Sequence, residues 1–414
     1  MINDQEILFS FRSDFNESDK LKVVLDSSPV NHTLNFDQQN TVYANTLGIS
    51  NSNKTVFING GSSYININNK VISNARFNHY GLLEDFPMKK ASILEELVYG
   101  IKVFSDSNFG VDKKWLLGNS GGLDSAVTLS LLSIALGSEK VISYNLRSKY
   151  NSDKTVNNAQ SLAHKLKVKH YNVNIDEEVN SYLKIMNDAG YNEIDTLTYE
   201  NIQARTRGHL LGGFSSLENA VISNNGNKLE LALGYATLYG DTIGALSIIG
   251  DLLKIEVFEL AKQINEYFND EVVAHNLIPK VDNYTISFEL APSAELKDNQ
   301  LDPMKWFYHD YLLDLVLTYR REDILSMYLD NQFKDLEISK WLDFYGLLNG
   351  EAFIEDFNWF LRTFEINHFK RLQTPPVLAY GNKVIGVDYL ESMFIKAKSD
   401  RELELEKMIV AKYE

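Results

Sequence analysis

The chain has no cysteine among its 414 residues. It therefore has no disulfide, no thiolate metal ligand and no cysteine nucleophile. It also lacks any apolar run near the about 18 residues that a membrane-spanning helix needs. Its first residues do not show the basic and then apolar pattern of a secretory signal. We therefore expect a cytoplasmic protein with no membrane segment.

Positive charge is also scarce. Lysine and arginine total 40 against 56 aspartates and glutamates, which gives a formal net charge of −16. Proteins dedicated to nucleic acids gain affinity from cationic patches that contact phosphates, so this balance argues against a nucleic-acid partner. A nucleotide can still be bound locally, through backbone N–H groups, a few basic side chains and Mg²⁺.

The pattern of apolar residues divides the chain into three parts. We predict a small β-rich region at residues 1–80, an α/β domain at 81–300 and a mainly helical part at 301–414. In the first part, strands are predicted at 56–59 and 63–67, followed by a hairpin turn at Asn68 and Asn69. The second part alternates between strands at 114–117, 140–145, 168–173 and 219–223 and helices at 126–136 and 153–167. This alternation is typical of an α/β fold around a parallel sheet.

A glycine-rich loop with the sequence SGGLDS lies between a predicted strand and a predicted helix, at residues 120–125. Gly121 and Gly122 allow the backbone to approach a ligand closely, and the helix N-terminus presents unpaired N–H groups to an anion. Ser120 and Ser125 add hydroxyl donors, and Asp124 is suited to hold Mg²⁺ beside the phosphates. No lysine lies inside the loop, so it is not a Walker A loop. The alternative is a plain glycine-rich turn.

The SGGxDS pattern resembles the signature of the ATP pyrophosphatase (PP-loop) enzymes, which cleave ATP between its α and β phosphates. Three later segments are similar to those of NAD synthetases and occur in the same order: YENIQARTR at 199–207, GNKLELALGYATLYGD at 226–241 and PSAEL at 292–296. The similarity covers most of residues 22–400 and is strongest from 115 to 310. The resemblance implies a PP-loop domain of the adenine-nucleotide alpha-hydrolase-like fold.

The resemblance also implies a reaction. Deamido-NAD⁺, ATP and ammonia would give NAD⁺, AMP and pyrophosphate, with Mg²⁺ as the cofactor. Asp124 and Glu230 supply two oxygen ligands of the kind that Mg²⁺ prefers. Lys228 and Lys254 are suited to offset the charge that develops on the departing pyrophosphate. For each of these charged residues the alternative is an ordinary solvated surface position.

Four further residues take their roles from the resemblance. Ser293 would donate a hydrogen bond to a phosphate, Asn201 and Arg205 would hold the dinucleotide, and Asp241 would face its nicotinate end. Arg147 and Lys149 lie where family members place a basic residue near ATP, but that alignment is loose and a surface role is as plausible.

Several positions depart from the family pattern. Leu229 replaces the usual serine, Asn224 and Asn225 stand where threonines are common, and Asn119 precedes the loop where an apolar residue is usual. None of these changes removes a predicted metal ligand. Any effect that they have is expected on ATP binding.

The first part of the chain resembles the last portion of a nitrilase-type glutaminase, the domain with which long NAD synthetases release ammonia from glutamine. The match covers residues 22–80, and an unrelated β-rich cap is the alternative. The glutaminase reaction needs a cysteine nucleophile in a Cys-Glu-Lys triad, and this chain has none. We therefore predict an ammonia-dependent enzyme with most of the glutaminase missing, and a separate glutaminase as a possible partner. The family also implies a homodimer.

Two other functions stay open from sequence alone. The chain could be another PP-loop ligase that adenylates a different carboxylate, although the segment at 199–207 favours a dinucleotide. It could also be a non-catalytic descendant used for binding or assembly. The retention of Asp124, Lys228 and Glu230 argues against that second alternative.

Overall fold

The computed structural model describes residues 7–10, 21–26, 40–60, 63–67, 70–73, 92–282, 285–297, 300–381, 383–387, 389 and 397–414. The strands, in chain order, are β1 Ile7–Ser10, β2 Leu21–Asp26, β3 Thr41–Asn45, β4 Leu47–Ser52, β5 Thr55–Gly60, β6 Ser63–Ile67, β7 Lys70–Ser73, β8 Lys114–Gly118, β9 Val141–Arg147, β10 Lys169–Asn174, β11 Ala220–Asn224, β12 Leu246–Ser247, β13 Lys280–Asp282, β14 Thr285–Ser287 and β15 Val377–Ala379.

The helices are α1 Ile93–Phe109, α2 Leu123–Leu136, α3 Asp153–Lys165, α4 Asp176–Asp188, α5 Thr196–Glu218, α6 Lys228–Leu233, α7 Lys254–Phe268, α8 Tyr308–Thr318, α9 Arg321–Leu329, α10 Ser339–Leu342, α11 Gly350–Ile366, α12 His368–Arg371 and α13 Asp400–Lys412. No helix within the described ranges is long and apolar enough to cross a membrane.

An eight-stranded sheet with the order β10-β9-β8-β11-β12-β15-β5-β4 forms the centre of the fold. Its strands pair in parallel except for the edge strand β4, which is antiparallel to β5. The predicted parallel α/β fold is therefore confirmed. The chain leaves β8 toward β9 on one side and places β11 on the other. Ligands in such sheets bind at this switch point, beyond the carboxyl ends of the strands.

Side chains of β8 alternate between the two faces of the sheet. Trp115 and Leu117 belong to the large core formed with α1, α2 and α7, whereas Leu116 belongs to a second core formed with α4 and α5. Helix α2 is buried over most of its surface because it packs between the sheet and the neighbouring helices α1 and α7. These two layers hold the end of β8, and the loop that follows it, in a fixed position.

The N-terminal strands are shared between two sheets. A five-stranded sheet has the order β1-β2-β3-β6-β7, and β6 and β7 form an antiparallel hairpin. The predicted turn at Asn68 and Asn69 lies outside the described residues. Strand β5 does not pair with β6, the next strand along the chain, but with β15 and β4 in the central sheet. The central sheet thus takes strands from all three predicted parts, and the division at residues 80 and 300 stays a prediction.

The C-terminal part is mainly helical, as predicted, and its core is aromatic. Tyr328 stacks on Phe353 with ring centroids 3.7 Å apart. Trp306 and Trp341 are buried in the large core, and Trp359 packs against its margin. This part contacts the α/β region through α8 and α11, which pack on α6.

Candidate active site

A cavity of about 320 Å³ lies at the carboxyl ends of β8, β9 and β11. Its wall includes the 120–125 loop, the inner face of α5, the turn at 240–243 and the segment at 290–296. The neighbouring strands β8 and β11 are followed by strands that lie in opposite directions along the sheet, β9 beside β8 and β12 beside β11. The cavity is therefore the crevice at the topological switch point. The fold therefore places the predicted phosphate loop at the position where α/β sheets bind ligands.

The loop itself is held in shape by its own hydrogen bonds. Gly121 has a φ of +81°, and a Cβ atom there would lie 1.8 Å from the carbonyl oxygen of Thr155, so only glycine fits. The hydroxyl oxygens of Ser120 and Ser125 lie 3.1 Å apart. Helix α2 begins after Gly122 without a side-chain cap. Its first N–H groups are therefore available to an anion, as at other helix N-termini.

Three carboxylates and one ammonium converge beside the loop. Asp124 comes from the first turn of α2, Glu230 from the first turn of α6, and Lys254 is the first residue of α7. The Nζ atom of Lys254 contacts the Oδ2 atom of Asp124. Asp302 also lines the cavity and accepts a hydrogen bond from the Tyr235 hydroxyl at 3.1 Å. Sequence reasoning missed Asp302 because nothing in the segment at 302–306 marks it as part of the site.

The pKa values of these groups follow from burial and mutual proximity. Burial, reinforced by the Asp124 carboxylate, raises the pKa of Glu230 to about 8. Burial lowers the pKa of the Lys254 ammonium, but the Asp124 and Glu230 carboxylates raise it by more, so it lies above its ordinary value. Burial also raises the pKa of Asp302. The cavity thus concentrates carboxylates around a single paired lysine, an environment that favours a further cation.

The carboxylate oxygens in the cavity suit a Mg²⁺ ion that binds together with a nucleotide. No group of three or more carboxylate or imidazole side chains in the described part of the chain has the geometry of a metal site. Mg²⁺ usually takes one or two carboxylates and completes its shell with phosphate oxygens and water. Asp124 and Glu230 supply this number, and the Oδ1 atom of Asp124 is also 3.4 Å from the Asn227 amide nitrogen.

Lys228 lies outside the cavity wall. Its ammonium is buried and pairs with the Oδ1 atom of Asp251 at 2.8 Å. The other oxygen of Asp251 accepts the backbone N–H groups of Tyr380 and Gly381, just after β15. The structure therefore brings Lys254, but not Lys228, to Asp124.

The motif at 199–207 places its two arginines differently. Arg207 lines the cavity, and its Nε atom donates to the carbonyl oxygen of Leu146 at 2.9 Å. Burial lowers the pKa of its guanidinium to about 10, although the Asp241 and Glu295 carboxylates oppose this shift. Arg205 is exposed and donates to the Leu238 carbonyl outside the cavity wall. Arg207 was not among the predicted site residues, although it belongs to the same motif.

The remaining dinucleotide candidates lie near the turn at 237–242. Asp241 lines the cavity and accepts the Thr237 N–H at 2.5 Å. Asn201 lies outside the wall and accepts the Thr237 hydroxyl at 2.9 Å. The turn approaches α5 closely, because a Cβ atom at Gly208 would lie 2.7 Å from the Gly240 carbonyl oxygen.

The PSAEL segment closes one side of the cavity. Ser293 lines it, and its hydroxyl oxygen accepts the Glu295 N–H at 3.1 Å. Glu295 has a φ of +49° and accepts hydrogen bonds from Asn151 at 2.9 Å and Thr155 at 2.8 Å. These bonds tie the segment to the start of α3. Sequence reasoning missed Glu295 because its partners are about 140 residues away along the chain.

The departures from the family pattern all have structural partners. Leu229 is fully buried in the large core. The amide nitrogen of Asn224 donates to the carbonyl oxygens of Asp241 and Ile243, and that of Asn225 donates to Gly118. Asn119 bonds the Ser143 hydroxyl and accepts the Gly121 N–H. These side chains support the walls of the cavity, and their effect on ATP affinity stays a prediction.

The fold and the cavity define a nucleotide-binding α/β protein whose phosphate loop lies at the switch point of a parallel sheet. A family model for NAD synthase matches residues 96–341, more than half of the chain. The chain therefore belongs to the NAD synthase family, as the sequence motifs indicated.

Relatives of this chain include both glutamine-dependent and ammonia-dependent enzymes. The glutamine-dependent NAD(+) synthetase of Thermotoga maritima is 28% identical over 309 residues, which cover 74% of this chain and 48% of that protein. The NH(3)-dependent NAD(+) synthetase of Chlorobium phaeobacteroides is 32% identical over 247 residues, which cover 59% of this chain and 77% of that protein. The chain thus spans about half the length of its glutamine-dependent relative.

The fold is also that of a solved relative. The crystal structure of a glutamine-dependent NAD(+) synthetase from Cytophaga hutchinsonii superposes with a TM-score of 0.67 at 17% identity, and the match covers 99% of this chain and 74% of that one. At this identity the likeness is one of fold.

Proposed function

We propose that the chain is an ammonia-dependent NAD synthetase, which adenylates deamido-NAD⁺ with ATP and amidates it to NAD⁺, releasing AMP and pyrophosphate. The observation that carries this proposal is the meeting of the 120–125 loop, Asp124, Glu230 and Lys254 in one cavity. Membership of the NAD synthase family supports the choice of substrate.

The chain's own residues have distinct tasks in this reaction. N–H groups at the start of α2, with Ser120 and Ser125, bind the phosphates of ATP. A nicotinate carboxylate oxygen attacks the α-phosphorus while the bond to pyrophosphate breaks. The Lys254 ammonium stabilises the charge that develops on the pyrophosphate oxygens. Ammonia then attacks the carboxyl carbon of the adenylate and displaces AMP.

Mg²⁺ fits the same cavity. Asp124 and Glu230 would hold it, and when bound it supplies positive charge that neutralises the phosphate oxygens. The Asp124–Lys254 contact keeps the lysine beside that position.

The choice of ammonia rests on the absence of cysteine from the 414-residue chain. A nitrilase-type glutaminase forms a thioester with its nucleophile, and no thiolate is present here. We keep residues 22–80 as a glutaminase-like region, within the proposed division at 80 and 300, and a separate glutaminase as its possible partner. Because ATP and deamido-NAD⁺ are small metabolites of the cytoplasm, we place the protein there.

An exposed apolar face supports a homodimer. Tyr182 and Ile185 on α4, Tyr191 after it and Leu197 at the start of α5 expose 42 to 69% of their surface. Helix α5 also carries Asn201 and Arg205, which lie outside the single-chain cavity. A second copy packed on this face would cover the apolar residues and bring these two polar side chains to a shared dinucleotide site.

The test is NAD⁺ formation by the purified chain with deamido-NAD⁺, ATP and Mg²⁺, given either ammonium or glutamine. We expect product with ammonium alone, and a rate at subsaturating ammonium that rises with pH because the uncharged amine is the nucleophile. Asp124→Asn serves as the inactive control, since it removes a charge that both Mg²⁺ and Lys254 need.

Two results would count against the proposal. Synthesis from glutamine by the chain alone would contradict the assignment of ammonia as the nitrogen donor. Absence of NAD⁺ with either donor, together with pyrophosphate release on another carboxylate, would show a different PP-loop ligase. Glutamine-supported synthesis that appears only after host extract is added would identify a partner glutaminase.

A further inference from the structure

The segment at 302–310 lies directly behind Lys254. Its indole at Trp306 is buried, and the Lys254 ammonium lies 4.8 Å from the centroid of that ring. The Oδ1 atom of Asp310 accepts the backbone N–H of Lys254 at 2.8 Å. Asp302, at the start of the segment, lines the cavity. The segment at 302–310 thus contacts both the backbone nitrogen and the ammonium of Lys254.

The backbone of this segment is strained at Phe307. Its φ of 70° and ψ of −51° are rare for an aromatic residue. The Oδ2 atom of Asp310 accepts the Phe307 N–H at 2.8 Å, and the Phe307 ring stacks on Phe258 of α7 at 5.7 Å. Strain of this kind persists only where the surroundings hold it, and it is concentrated at functional positions. Here it turns the chain so that Trp306 and Asp310 both reach the start of α7.

The first backbone N–H groups of helix α7 need a hydrogen-bond acceptor. Its N-cap residue is Leu253, whose side chain has no oxygen to accept the first N–H groups. Asp310, which is fully buried, supplies that acceptor from another part of the chain. The position of Lys254 on the first turn of α7 is therefore fixed by a carboxylate outside the helix.

The indole face orients the ammonium without neutralising it. Lys254 is almost fully buried, so its charge needs a favourable contact in addition to Asp124, at the position that the Trp306 indole occupies. A carboxylate there would cancel the charge that the pyrophosphate requires, whereas a ring face attracts the cation through its quadrupole and carries no net charge.

We propose that Trp306 and Asp310 are positioning residues that hold the Lys254 ammonium against Asp124 for the departure of pyrophosphate. This inference rests on the proposed function for its catalytic part. The contact between the indole and the ammonium does not depend on that function, so the two can be tested separately.

The first experiment replaces Trp306 with a series of increasingly fluorinated tryptophans. Fluorine withdraws charge from the ring face at nearly constant shape, so a packing role would leave the rate unchanged. We expect kcat to fall stepwise with each fluorine while KM for deamido-NAD⁺ stays constant. Trp306→Phe should retain more activity than Trp306→Leu, for which we expect a loss in kcat of about tenfold.

Trp359 provides the matched control. Its ring stacks on His309 in the same helical part, with centroids 5.4 Å apart, and does not contact Lys254. Fluorination at 359 should leave kcat unchanged. A flat response at 306, or equal responses at 306 and 359, would overturn the proposal.

The second experiment needs no activity. A double-mutant cycle combines Trp306→Leu with Lys254→Met and measures the free energy of unfolding in urea. We expect the two effects to be non-additive, whereas Trp359→Leu and Lys254→Met should add. Additive effects at 306 would refute the contact. If the parent makes no NAD⁺, the proposed function fails while the cycle still decides whether Trp306 holds Lys254.

Discussion

Residue by residue, the site shows how different two neighbouring side chains of one motif can be. Arg205 and Arg207 are two positions apart on α5, so they point to different sides of the helix. Arg207 lines the cavity that the phosphate loop also lines, and Arg205 donates to the Leu238 carbonyl outside the cavity wall. In the proposed dimer, Arg205 belongs to the dinucleotide site and Arg207 to the ATP side.

This geometry predicts that the two arginines affect the KM values of different substrates. Arg205→Ala should raise the KM for deamido-NAD⁺ about tenfold, the cost of one charged hydrogen bond, and leave that for ATP nearly unchanged. Arg207→Ala should raise the KM for ATP. Steady-state kinetics with each substrate varied in turn will measure both. Equal weakening of both substrates by Arg205→Ala would place this arginine in support of the fold or in the ATP site.

The sequence predicted those site residues whose neighbours along the chain mark them. Asp124 is next to the phosphate-binding glycines, and Glu230 lies within a long family segment. No motif in the sequence pointed to Trp306 or Asp310. Their importance depends on a contact with Lys254 across more than 50 residues of chain, and no local pattern carries that information.

Among the elements, the strand–loop–helix unit of β8 and α2 depends on one tight contact. The loop passes so close to α3 that Gly121 touches the carbonyl of Thr155. The Thr155 hydroxyl in turn donates to Glu295, so the phosphate loop, α3 and the PSAEL segment form one continuous structure. A disturbance at Gly121 should therefore spread to both neighbours.

We predict that Gly121→Ala destabilises the protein by at least about 2 kcal/mol, since the new methyl group meets backbone atoms and φ is positive. Urea unfolding followed by circular dichroism will measure this change. Gly212→Ala is the matched control, because a Cβ atom there meets nothing within 4 Å. Inside helix α5 the control should be stabilising by about 0.5–1 kcal/mol. Similar effects of both changes would contradict the role of the close contact.

The elements around this unit were predictable because their signals are local. β8, β9 and β10 and the helices between them appear in the sequence as alternating apolar segments, and the structure has them within a few residues of the predicted bounds. The partner of β5 was not predictable. A short strand carries its own pattern, but the choice of β15, more than 300 residues away, is settled by long-range packing.

For the whole molecule, the excess of acidic residues has a consequence for stability. Several carboxyls are buried beside the start of α7. Burial, with the Asp251 and Asp310 carboxylates nearby, raises the pKa of Glu256 to about 7, although the Leu253 N–H and the Lys228 ammonium oppose this shift. Burial likewise raises the pKa of Asp310 to about 6. The folded state therefore holds protons that the unfolded chain releases.

Glu256 makes this effect measurable. Its folded-state pKa of about 7 exceeds the ordinary value for glutamate. The folded state therefore binds the Glu256 proton more tightly than the unfolded chain does. The stability that this contributes is fully present below the ordinary pKa of glutamate and is lost as the pH rises through about 7. Glu256→Gln keeps an oxygen to accept the Leu253 N–H and cannot ionise. The variant should match the parent near pH 4 and exceed its stability at pH 8 by on the order of 2 kcal/mol.

Urea unfolding of parent and variant across this pH range will test the prediction. Glu259→Gln is the control, because Glu259 lies on the same helix but is exposed, so its replacement should shift stability little at any pH. If Glu256→Gln changed stability equally at pH 4 and pH 8, the carboxyl would be contributing through packing rather than through its charge. If the variant were less stable than the parent at pH 8, the ionised Glu256 carboxylate would stabilise the fold. Its attraction to the Lys228 ammonium would then outweigh the cost of burying its charge.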